Sequence, residues 1–352
     1  MPLTGSQKKA WSDYFAALEV GEIKRLNLES CPVCKSRGRR IIAEKDRFGD
    51  GVISALCKGC GLIYSVNPFD AQSTAIFYRD HYRGLYTKST SNAHAVEQSF
   101  RKWLSFAAEL QKFCDFIGLD KEKDIVVETG TGAGWFLAPF AEQGFKTIGF
   151  DYDEDLLELG RARNLDLYNL TNTQIENVVT KCSLFVLREV LEHSSDPFEM
   201  LAEANGYLKD GGYIYLTVPS FNEIFFGYSS GQLLGALQNA HNFLFDRPVL
   251  LSLLEQAGFE LVIARCDLRV VARKARPPVR RPVPIPGNYR RNLLVLIVCE
   301  KVLQLYWRGL AKCLRYLGNE KEKYAKVRQW HRYLFSPTRR REIRQQRYVT
   351  GI

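Results

Sequence analysis

The sequence predicts an α/β fold with a parallel sheet, preceded by a small metal-binding module and followed by a basic helical region. Three observations support this organisation: an apolar run leading into a glycine-rich loop, two Cys-x-x-Cys pairs before it, and positive charge concentrated towards the C-terminus. We therefore expect four regions: a metal-binding module with an aromatic connector (1–85), the α/β domain (86–270), a Pro/Arg-rich linker (271–290) and a basic helical region (291–352).

The composition is typical of a folded globular protein. The 352 residues are 46% hydrophobic and 25% charged, and a core of this size forms without disulfides. Met1–Ala10 lacks the apolar segment of a secretory signal, and no window approaches ~18 consecutive apolar residues. Together with an odd number of cysteines, nine, these features predict a cytoplasmic protein without membrane-spanning helices.

Two Cys-x-x-Cys pairs predict a structural zinc site. Cys31 and Cys34 form the first pair, and Cys57 and Cys60 form the second after 22 intervening residues. Zn²⁺ prefers four thiolate or imidazole ligands in a tetrahedron, and four cysteines leave no position open for catalysis. Gly61 follows, where a tight turn needs positive φ. A redox thiol pair and an iron–sulfur cluster are the competing interpretations. The expected hairpin strands between the pairs are Ile41–Ala43 and Val52–Leu56.

The central region has the pattern of a cofactor site. The apolar run Ile125–Val127 is typical of a buried parallel strand. Glycines at the carboxyl end of such a strand let the backbone approach a ligand closely, and the following helix, predicted over 135–142, presents its N–H groups. A second strand, Lys146–Phe150, ends in Asp151, whose carboxylate is able to accept both hydroxyls of a ribose. The loop glycines are Gly130, Gly132 and Gly134.

The glycine pattern separates two cofactor classes. The dinucleotide fingerprint G-x-G-x-x-G needs a small third residue for close packing of helix on strand. Trp135 occupies that position here and is too large. The loop instead reads G-x-G-x-G and is preceded by Glu128, an arrangement that suits a ligand without a pyrophosphate.

The segment Glu128–Gly134 resembles the first motif of the class I S-adenosylmethionine-dependent methyltransferases, acid-x-G-x-G-x-G. The resemblance implies a Rossmann-like sheet and S-adenosylmethionine as the cofactor, held by Glu128 and the three glycines. It also implies that Asp151 binds the ribose hydroxyls and that Tyr152 lies against the adenine. Glu189 is a further candidate, facing the methionine or substrate end of the pocket.

Other segments extend this resemblance over roughly residues 124–265. Phe185–Pro197 resembles the family's segment after the fourth strand, and Leu208–Pro219 resembles its Gly-Gly turn and fifth strand. The preceding cysteine pairs and aromatic stretch resemble bacterial methyltransferases with a zinc-binding N-terminal domain, several of which act on sugars, including nucleotide sugars. This implies methyl transfer to a sugar or glycan, in a cell-surface polysaccharide or a nucleotide sugar. The sugar C-methyltransferases carry a sizeable further C-terminal domain, whereas here only a basic tail follows.

Two histidines are candidate proton acceptors, since an imidazole titrates near neutral pH. His193 follows a predicted strand at the end where ligands bind. His241 matches the position from which the resembling sugar C-methyltransferases take their base. The alternatives are structural: a pocket wall for His193, and a capping or packing residue for His241.

The charge distribution suggests a polyanionic partner. Residues 261–352 hold 23 Lys/Arg and 5 Asp/Glu, an excess of 18 positive charges, whereas the rest of the chain carries a net charge of −8. Five prolines in Arg276–Gly287 predict an extended linker, and the apolar, aromatic and basic pattern of 292–317 predicts an amphipathic helix. We expect peripheral contact with an anionic membrane at its inner face. The alternatives are packing on the catalytic domain and an RNA methyltransferase that binds phosphates with the zinc module and tail.

Overall fold

The computed structural model describes residues 5–86, 93–221, 233–265 and 267–298, and its elements form two sheets surrounded by helices. The strands are β1 (Arg39–Ala43), β2 (Ser54–Cys57), β3 (Ile63–Ser65), β4 (Ile125–Thr129), β5 (Lys146–Asp151), β6 (Leu167–Asn169), β7 (Cys182–Arg188), β8 (Leu208–Thr217), β9 (Phe243–Leu244), β10 (Phe259–Ala264) and β11 (Arg269–Lys274). The helices are α1 (Gly5–Glu19), α2 (Ala71–Ile76), α3 (Tyr82–Tyr86), α4 (Ala93–Leu104), α5 (Ala107–Ile117), α6 (Ala138–Glu142), α7 (Glu154–Arg161), α8 (Pro197–Tyr207), α9 (Leu233–Ala236), α10 (Arg247–Gln256) and α11 (Asn288–Val298).

The larger sheet has the strand order β10-β11-β8-β7-β4-β5-β6. Strands β6, β5, β4, β7 and β8 are parallel, and β11 pairs antiparallel with both β8 and β10. The chain moves outward from β4 to β5 and returns to the other side of β4 with β7. Such a reversal opens a crevice at the carboxyl ends of the strands, where ligands bind in open α/β sheets. The predicted α/β fold is confirmed. The predicted strands Ile125–Val127 and Lys146–Phe150 correspond to β4 and β5.

The smaller sheet has the order β1-β2-β3-β9 and is antiparallel throughout. Strands β1 and β2 form the hairpin that the sequence predicts between the cysteine pairs. Strand β9 arrives from much later in the chain and pairs Leu244 with Ile63 and Phe243 with Tyr64. The small sheet is therefore completed by residues that lie within the predicted α/β domain.

The N-terminal cysteines share a core with the large sheet. One continuous buried cluster contains Cys31 and Cys57 together with Val127 of β4, Leu216 of β8 and Leu250 of α10. A second cluster covers the opposite face of the sheet through α4, α5 and α6. Burial of apolar surface therefore attaches the cysteine module to the domain as one packed unit.

Two predicted helices differ from the observed ones. The sequence has helical periodicity from Val96 to Ile117, which predicts one helix, but the segment forms two helices, α4 and α5, separated at Ser105–Phe106. The helix predicted over 135–142 begins only at Ala138, after a run of turns. Gly134 has φ +75°, which an α-helix does not allow, and Pro139 supplies the first-turn residue whose missing N–H costs nothing there.

The C-terminal segments are described only as far as residue 298. Residues 271–274 of the predicted linker lie in β11, and the prolines that follow adopt neither helix nor strand. The predicted amphipathic segment, 292–317, begins within helix α11. The aromatic residues of that segment, Tyr306, Trp307 and Tyr316, lie outside the described residues. Within the described part of the chain, no helix has the length and apolar character needed to cross a bilayer.

Candidate active site and metal centre

The glycine-rich loop turns sharply at the carboxyl end of β4. Gly130, Gly132 and Gly134 have φ values of +69°, +57° and +75°, a region that favours glycine. A Cβ on Gly130 would lie 2.4 Å from Val190 Cγ2, and one on Gly132 would lie 2.8 Å from the indole of Trp135. The loop therefore has no room for side chains at Gly130 and Gly132, and its role in binding a cofactor stays a prediction.

Asp151 ends β5 beside this loop. Its Oδ2 accepts the Gly132 N–H at 2.7 Å, and its Oδ1 accepts the N–H groups of Tyr152 at 2.8 Å and Asp153 at 3.0 Å. Burial raises the pKa of the Asp151 carboxyl, which these backbone donors partly offset. These three donors use three of the roughly four lone-pair sites of the carboxylate, so one site remains for a ribose hydroxyl of the kind assigned to Asp151 by the family resemblance.

Glu128 lies beneath the loop and is fully buried. Its Oε2 accepts the Thr131 hydroxyl at 2.9 Å, and its Oε1 lies 3.3 Å from Nη1 of Arg188. Burial raises the pKa of Glu128 to about 7, although the Arg188 charge acts in the opposite direction. The family resemblance predicts that Glu128 binds the cofactor. Among the described residues, Glu128 contacts the loop through Thr131 and so helps to fix the position of the loop.

Glu189 follows β7 in a left-handed conformation, φ +54°, which is uncommon for a residue with a side chain. Its Oε1 accepts the Thr217 hydroxyl at 2.9 Å, and its N–H donates to the Thr217 carbonyl at 2.9 Å. Burial raises the pKa of the Glu189 carboxyl. The residue therefore ties the ends of β7 and β8 together at the edge of the crevice.

The fold brings His193 and His241 together. His193 closes the 3₁₀ turn Leu191–His193, and His241 directly precedes Asn242 and β9. Their ring centroids are 4.7 Å apart. Glu192 Oε1 lies 3.7 Å from His193 Nε2 and 3.9 Å from His241 Nε2. Burial lowers the pKa of His193 to about 4 and the pKa of His241 well below its usual range, so both imidazoles are neutral at physiological pH.

Three tyrosines form one wall of the same crevice. Tyr82 lies between Tyr78 and Tyr86, with ring centroids 4.9 Å and 5.0 Å away. Tyr78 also stacks on Tyr152 at 6.5 Å, next to the proposed adenine position, and contacts His193 edge-on at 5.4 Å. The aromatic wall thus spans from the cofactor side of the crevice to the histidine pair.

Residues 93–264 match a protein-family model described as a methyltransferase domain. This part of the chain is therefore similar to methyltransferase domains. The prediction of an S-adenosylmethionine-dependent methyltransferase is thereby confirmed at the level of the enzyme class.

The chain is also similar to solved structures at low sequence identity. A search of curated proteins finds no match. A magnesium protoporphyrin IX methyltransferase from Synechocystis is 13% identical, with 58% of this chain and 100% of that chain covered and a TM-score of 0.42. An S-adenosylmethionine-dependent methyltransferase from Clostridium acetobutylicum is 13% identical (50% and 92% covered, TM-score 0.39). Another from Methanosarcina mazei is 16% identical (45% and 94% covered, TM-score 0.36).

The side chains of the four cysteines form one cluster, which shares a buried core with the large sheet. The Sγ atoms of Cys31 and Cys60 are 3.7 Å apart, those of Cys34 and Cys57 are 3.4 Å apart, and all four lie within 4.8 Å of one another. Four sulfurs at about 2.3 Å from one tetrahedral ion lie about 3.8 Å from each other. The cluster therefore fits zinc, and Gly61 has the predicted positive φ, +80°.

Helix α11 and the segment before it close the second cysteine turn. Asn288 Nδ2 donates to the Cys60 carbonyl at 2.7 Å, and Asn292 Nδ2 donates to the Gly61 carbonyl at 2.9 Å. The N–H of Ile285 donates to the Gly59 carbonyl at 3.1 Å. The cysteine module is therefore bound from both sides, by the large sheet and by the C-terminal segment.

Sequence reasoning missed several residues of the methyltransferase site. Glu192 lies within the segment Phe185–Pro197, whose sequence does not indicate that its side chain lies between the two histidines. The tyrosine wall carried a usable signal, because residues at 78, 82 and 86 recur every four positions and share one helix face. Gln238 and Arg47 carried none: Gln238 contacts His241, and Arg47 Nη2 donates to Gln238 Oε1 at 2.5 Å from a loop 191 residues away.

Proposed function

We propose that this enzyme transfers a methyl group from S-adenosylmethionine to a sugar or glycan. The observation that carries the proposal is the tyrosine wall, which lies beside two neutral imidazoles, those of His193 and His241. The C–H faces of sugar rings pack on aromatic rings, and neutral polar groups orient the hydroxyls. The crevice offers both kinds of surface beside the position where the family resemblance predicts the cofactor.

The roles of the side chains follow from their positions. When bound, the cofactor supplies an electrophilic methyl group on a sulfonium sulfur. Asp151 and the glycine loop hold the nucleoside end, and Tyr152 covers the adenine. Tyr78 and Tyr82 hold the acceptor ring, which places its nucleophilic atom in line with the methyl group. Such orientation supplies much of the rate enhancement of a bimolecular transfer.

The acceptor loses a proton as the new bond to carbon forms and the carbon–sulfur bond breaks. His241 and His193 are the candidate groups on this side of the crevice, because each is unprotonated and carries a lone pair. His193 contacts the rings of Tyr78 and Tyr82 edge-on at 5.4 Å and 6.1 Å, and its Nδ1 lies 2.7 Å from the Ala240 carbonyl oxygen.

The acceptor class is tested by transfer of labelled methyl from S-adenosylmethionine into fractions of a cell lysate, with and without nuclease. We expect label in a nuclease-resistant glycan, lipid-linked or nucleotide-sugar fraction. A Gly132→Ala variant, which places a methyl group against Trp135, serves as the inactive control. Label that disappears with nuclease would contradict the sugar proposal and favour RNA as the acceptor.

We also propose that the C-terminal region contacts an anionic membrane. Residues 299–352 carry 14 Lys/Arg and 4 Asp/Glu, enough to attract a surface of acidic lipids. Flotation with vesicles of anionic lipids, compared with neutral vesicles, tests this for the full chain and for a chain ending at 298. Equal flotation of the two chains would contradict the proposal.

A further inference from the structure

We infer that Glu192, His193 and His241 form a second metal site, which binds one divalent first-row transition ion on the acceptor side of the crevice. One carboxylate oxygen and two imidazole nitrogens lie within 4.8 Å of one another. The Glu192 side chain is fully buried, whereas those of His193 and His241 are 13% and 17% exposed. The three ligands are thus anchored in the protein and reach the edge of the pocket.

The orientation of His193 is that of a metal ligand. Its Nδ1 lies 2.7 Å from the Ala240 carbonyl oxygen, which is only an acceptor, so Nδ1 carries the proton. In the neutral ring with the proton on Nδ1, Nε2 carries a lone pair and lies 3.7 Å from Glu192 Oε1, and the Glu189 backbone is a second polar neighbour of the ring. A carbonyl acceptor on the far ring nitrogen is the usual support for a metal-binding histidine, because it fixes both the tautomer and the ring orientation.

The backbone around the cluster is held by Asn242. Its Nδ2 donates to the carbonyls of His193 at 3.0 Å and Ser194 at 2.9 Å, and its N–H donates to the Glu192 carbonyl at 2.8 Å. Asn242 is 5% exposed and immediately follows His241. One buried side chain therefore fixes the turn that carries two of the ligands relative to the residue that carries the third.

The distances match a site that closes slightly on its ion. Ligand atoms about 2.1 Å from one ion lie roughly 3.0–3.5 Å apart when they are neighbours in octahedral or tetrahedral geometry. Glu192 Oε1 is 3.7 Å and 3.9 Å from the two Nε2 atoms, so these two distances shorten by roughly 0.2–0.9 Å when an ion binds. The side-chain amide of Gln238 donates a hydrogen bond to the lone pair on His241 Nε2. An ion that binds this lone pair replaces that hydrogen bond.

The ligand set defines the ion. Two imidazoles and one carboxylate suit Mn²⁺, Fe²⁺, Co²⁺ or Zn²⁺ and leave coordination positions open. Such a site differs from the cysteine cluster, whose four thiolates fill a tetrahedron. The role of the open positions rests on the proposed function: two neighbouring oxygens of a sugar acceptor fit them, and a divalent ion lowers the pKa of a hydroxyl that it binds. With the ion bound, both Nε2 lone pairs are held by the metal, so the hydroxyl releases its proton to solvent and the two histidines act as ligands instead of proton acceptors.

The metal site is tested with the full chain, its cysteine cluster already loaded with zinc, by titration with Co²⁺ in the absence of acceptor and cofactor. We expect one further Co²⁺ per chain, with d–d absorption bands and without the thiolate-to-cobalt charge transfer that a cysteine site produces. His241→Leu and Glu192→Gln should each weaken this binding at least about tenfold. His81→Leu is the matched control and should bind like the wild type.

Two results would overturn the site: no Co²⁺ uptake beyond the zinc cluster, or uptake that both variants leave unchanged. If a variant does not fold, the imidazole NMR signals of the wild type are measured with and without Co²⁺ instead. Co²⁺ should then shift two histidines strongly, and uniform effects on all five would refute the assignment.

The role in catalysis has a separate readout. A mild chelator that leaves the zinc cluster intact should abolish methyl incorporation, and added Mn²⁺ or Co²⁺ should restore it. Undiminished incorporation would refute the acceptor role of the ion. Because Co²⁺ binding is measured without an acceptor, failure of the sugar proposal leaves that result standing, and failure of Co²⁺ binding leaves the acceptor assay unaffected.

Discussion

Gly132 lies where the smallest side chain already meets the indole of Trp135. Gly132→Ala should weaken S-adenosylmethionine binding by about tenfold or more, because an Ala at φ +57° is strained and its Cβ displaces the loop. Isothermal titration calorimetry measures the affinity. Gly206→Ala is the matched control, since a Cβ there has open space within α8, and equal affinities of the two variants would contradict this account of the loop.

Glu128 makes the stability of the protein depend on pH in a defined direction. Its pKa rises from 4.5 to about 7 on folding, so the folded state favours the protonated form. The stabilisation is complete below about pH 4.5 and is lost as the pH rises through about 7.

Glu128→Gln removes this titration while keeping a neutral side chain of the same shape. Relative to that variant, the free energy of unfolding of the wild type should fall by roughly 3 kcal/mol between about pH 4.5 and pH 8. Urea denaturation of both proteins across this range measures the difference. Parallel pH profiles would show that Glu128 does not titrate there.

At the scale of elements, Asp246 connects α10 to α11. Its Oδ1 caps α10 by accepting the Val249 N–H at 3.0 Å. Its Oδ2 accepts from Asn288 at 2.7 Å, Arg291 at 2.7 Å and Asn292 at 2.5 Å, and the residue is 5% exposed. One carboxylate thus organises the C-terminal segment that closes the second cysteine turn.

Asp246→Ala should cost about 3 kcal/mol or more of the free energy of unfolding, because it removes a helix cap and strands buried amide donors. Limited proteolysis should then cleave within 276–298. Asp70→Ala is the control: Asp70 caps α2 by accepting the Ser73 N–H at 2.7 Å, and its loss should cost only about 1 kcal/mol. Equal costs for the two variants would mean that the contacts to α11 contribute nothing.

At the scale of the whole molecule, strand pairing and hydrogen bonds connect the cysteine module to the acceptor side of the crevice. Strand β9 completes the small sheet immediately after His241. On the other side, Asp50 Oδ2 accepts from Tyr14 at 2.6 Å and Asn239 at 3.0 Å, and Asp46 Oδ2 accepts the Asn239 N–H at 3.0 Å. The cofactor loop, in contrast, depends on the parallel strands of the large sheet.

We expect the cysteine cluster to bind zinc, and loss of that ion should therefore disturb the acceptor side while the cofactor side persists. In Cys57→Ser we expect faster amide hydrogen exchange at Phe243–Leu244, with S-adenosylmethionine binding retained. Cys114→Ser, which replaces a buried cysteine outside the cluster, is the control and should keep one zinc per chain. Loss of cofactor binding together with the zinc would contradict the separation of the two sides.

Local patterns in the sequence were enough to predict the elements of the cofactor side. The apolar run of β4, the glycines with positive φ and the acid after β5 are neighbours along the chain, so their geometry depends on short-range sterics and periodicity. The cysteine pairs are equally local. The predicted start of α6 at 135 is wrong, because the helix begins at Ala138. Gly134 is predicted to bind the cofactor, but its positive φ also prevents a helical backbone at this point.

The acceptor side was decided by tertiary structure. His193 and His241 were both identified as candidates, yet nothing in the sequence places them 4.7 Å apart with Glu192 between them. That arrangement requires the chain to return after β8 and pair β9 with β3 of the cysteine module. The sequence by itself determined the enzyme class and the ligand types, since these depend on residue chemistry at short spacing. Only packing of distant segments decided which polar groups share one pocket, because such contacts depend on burial summed over the whole core.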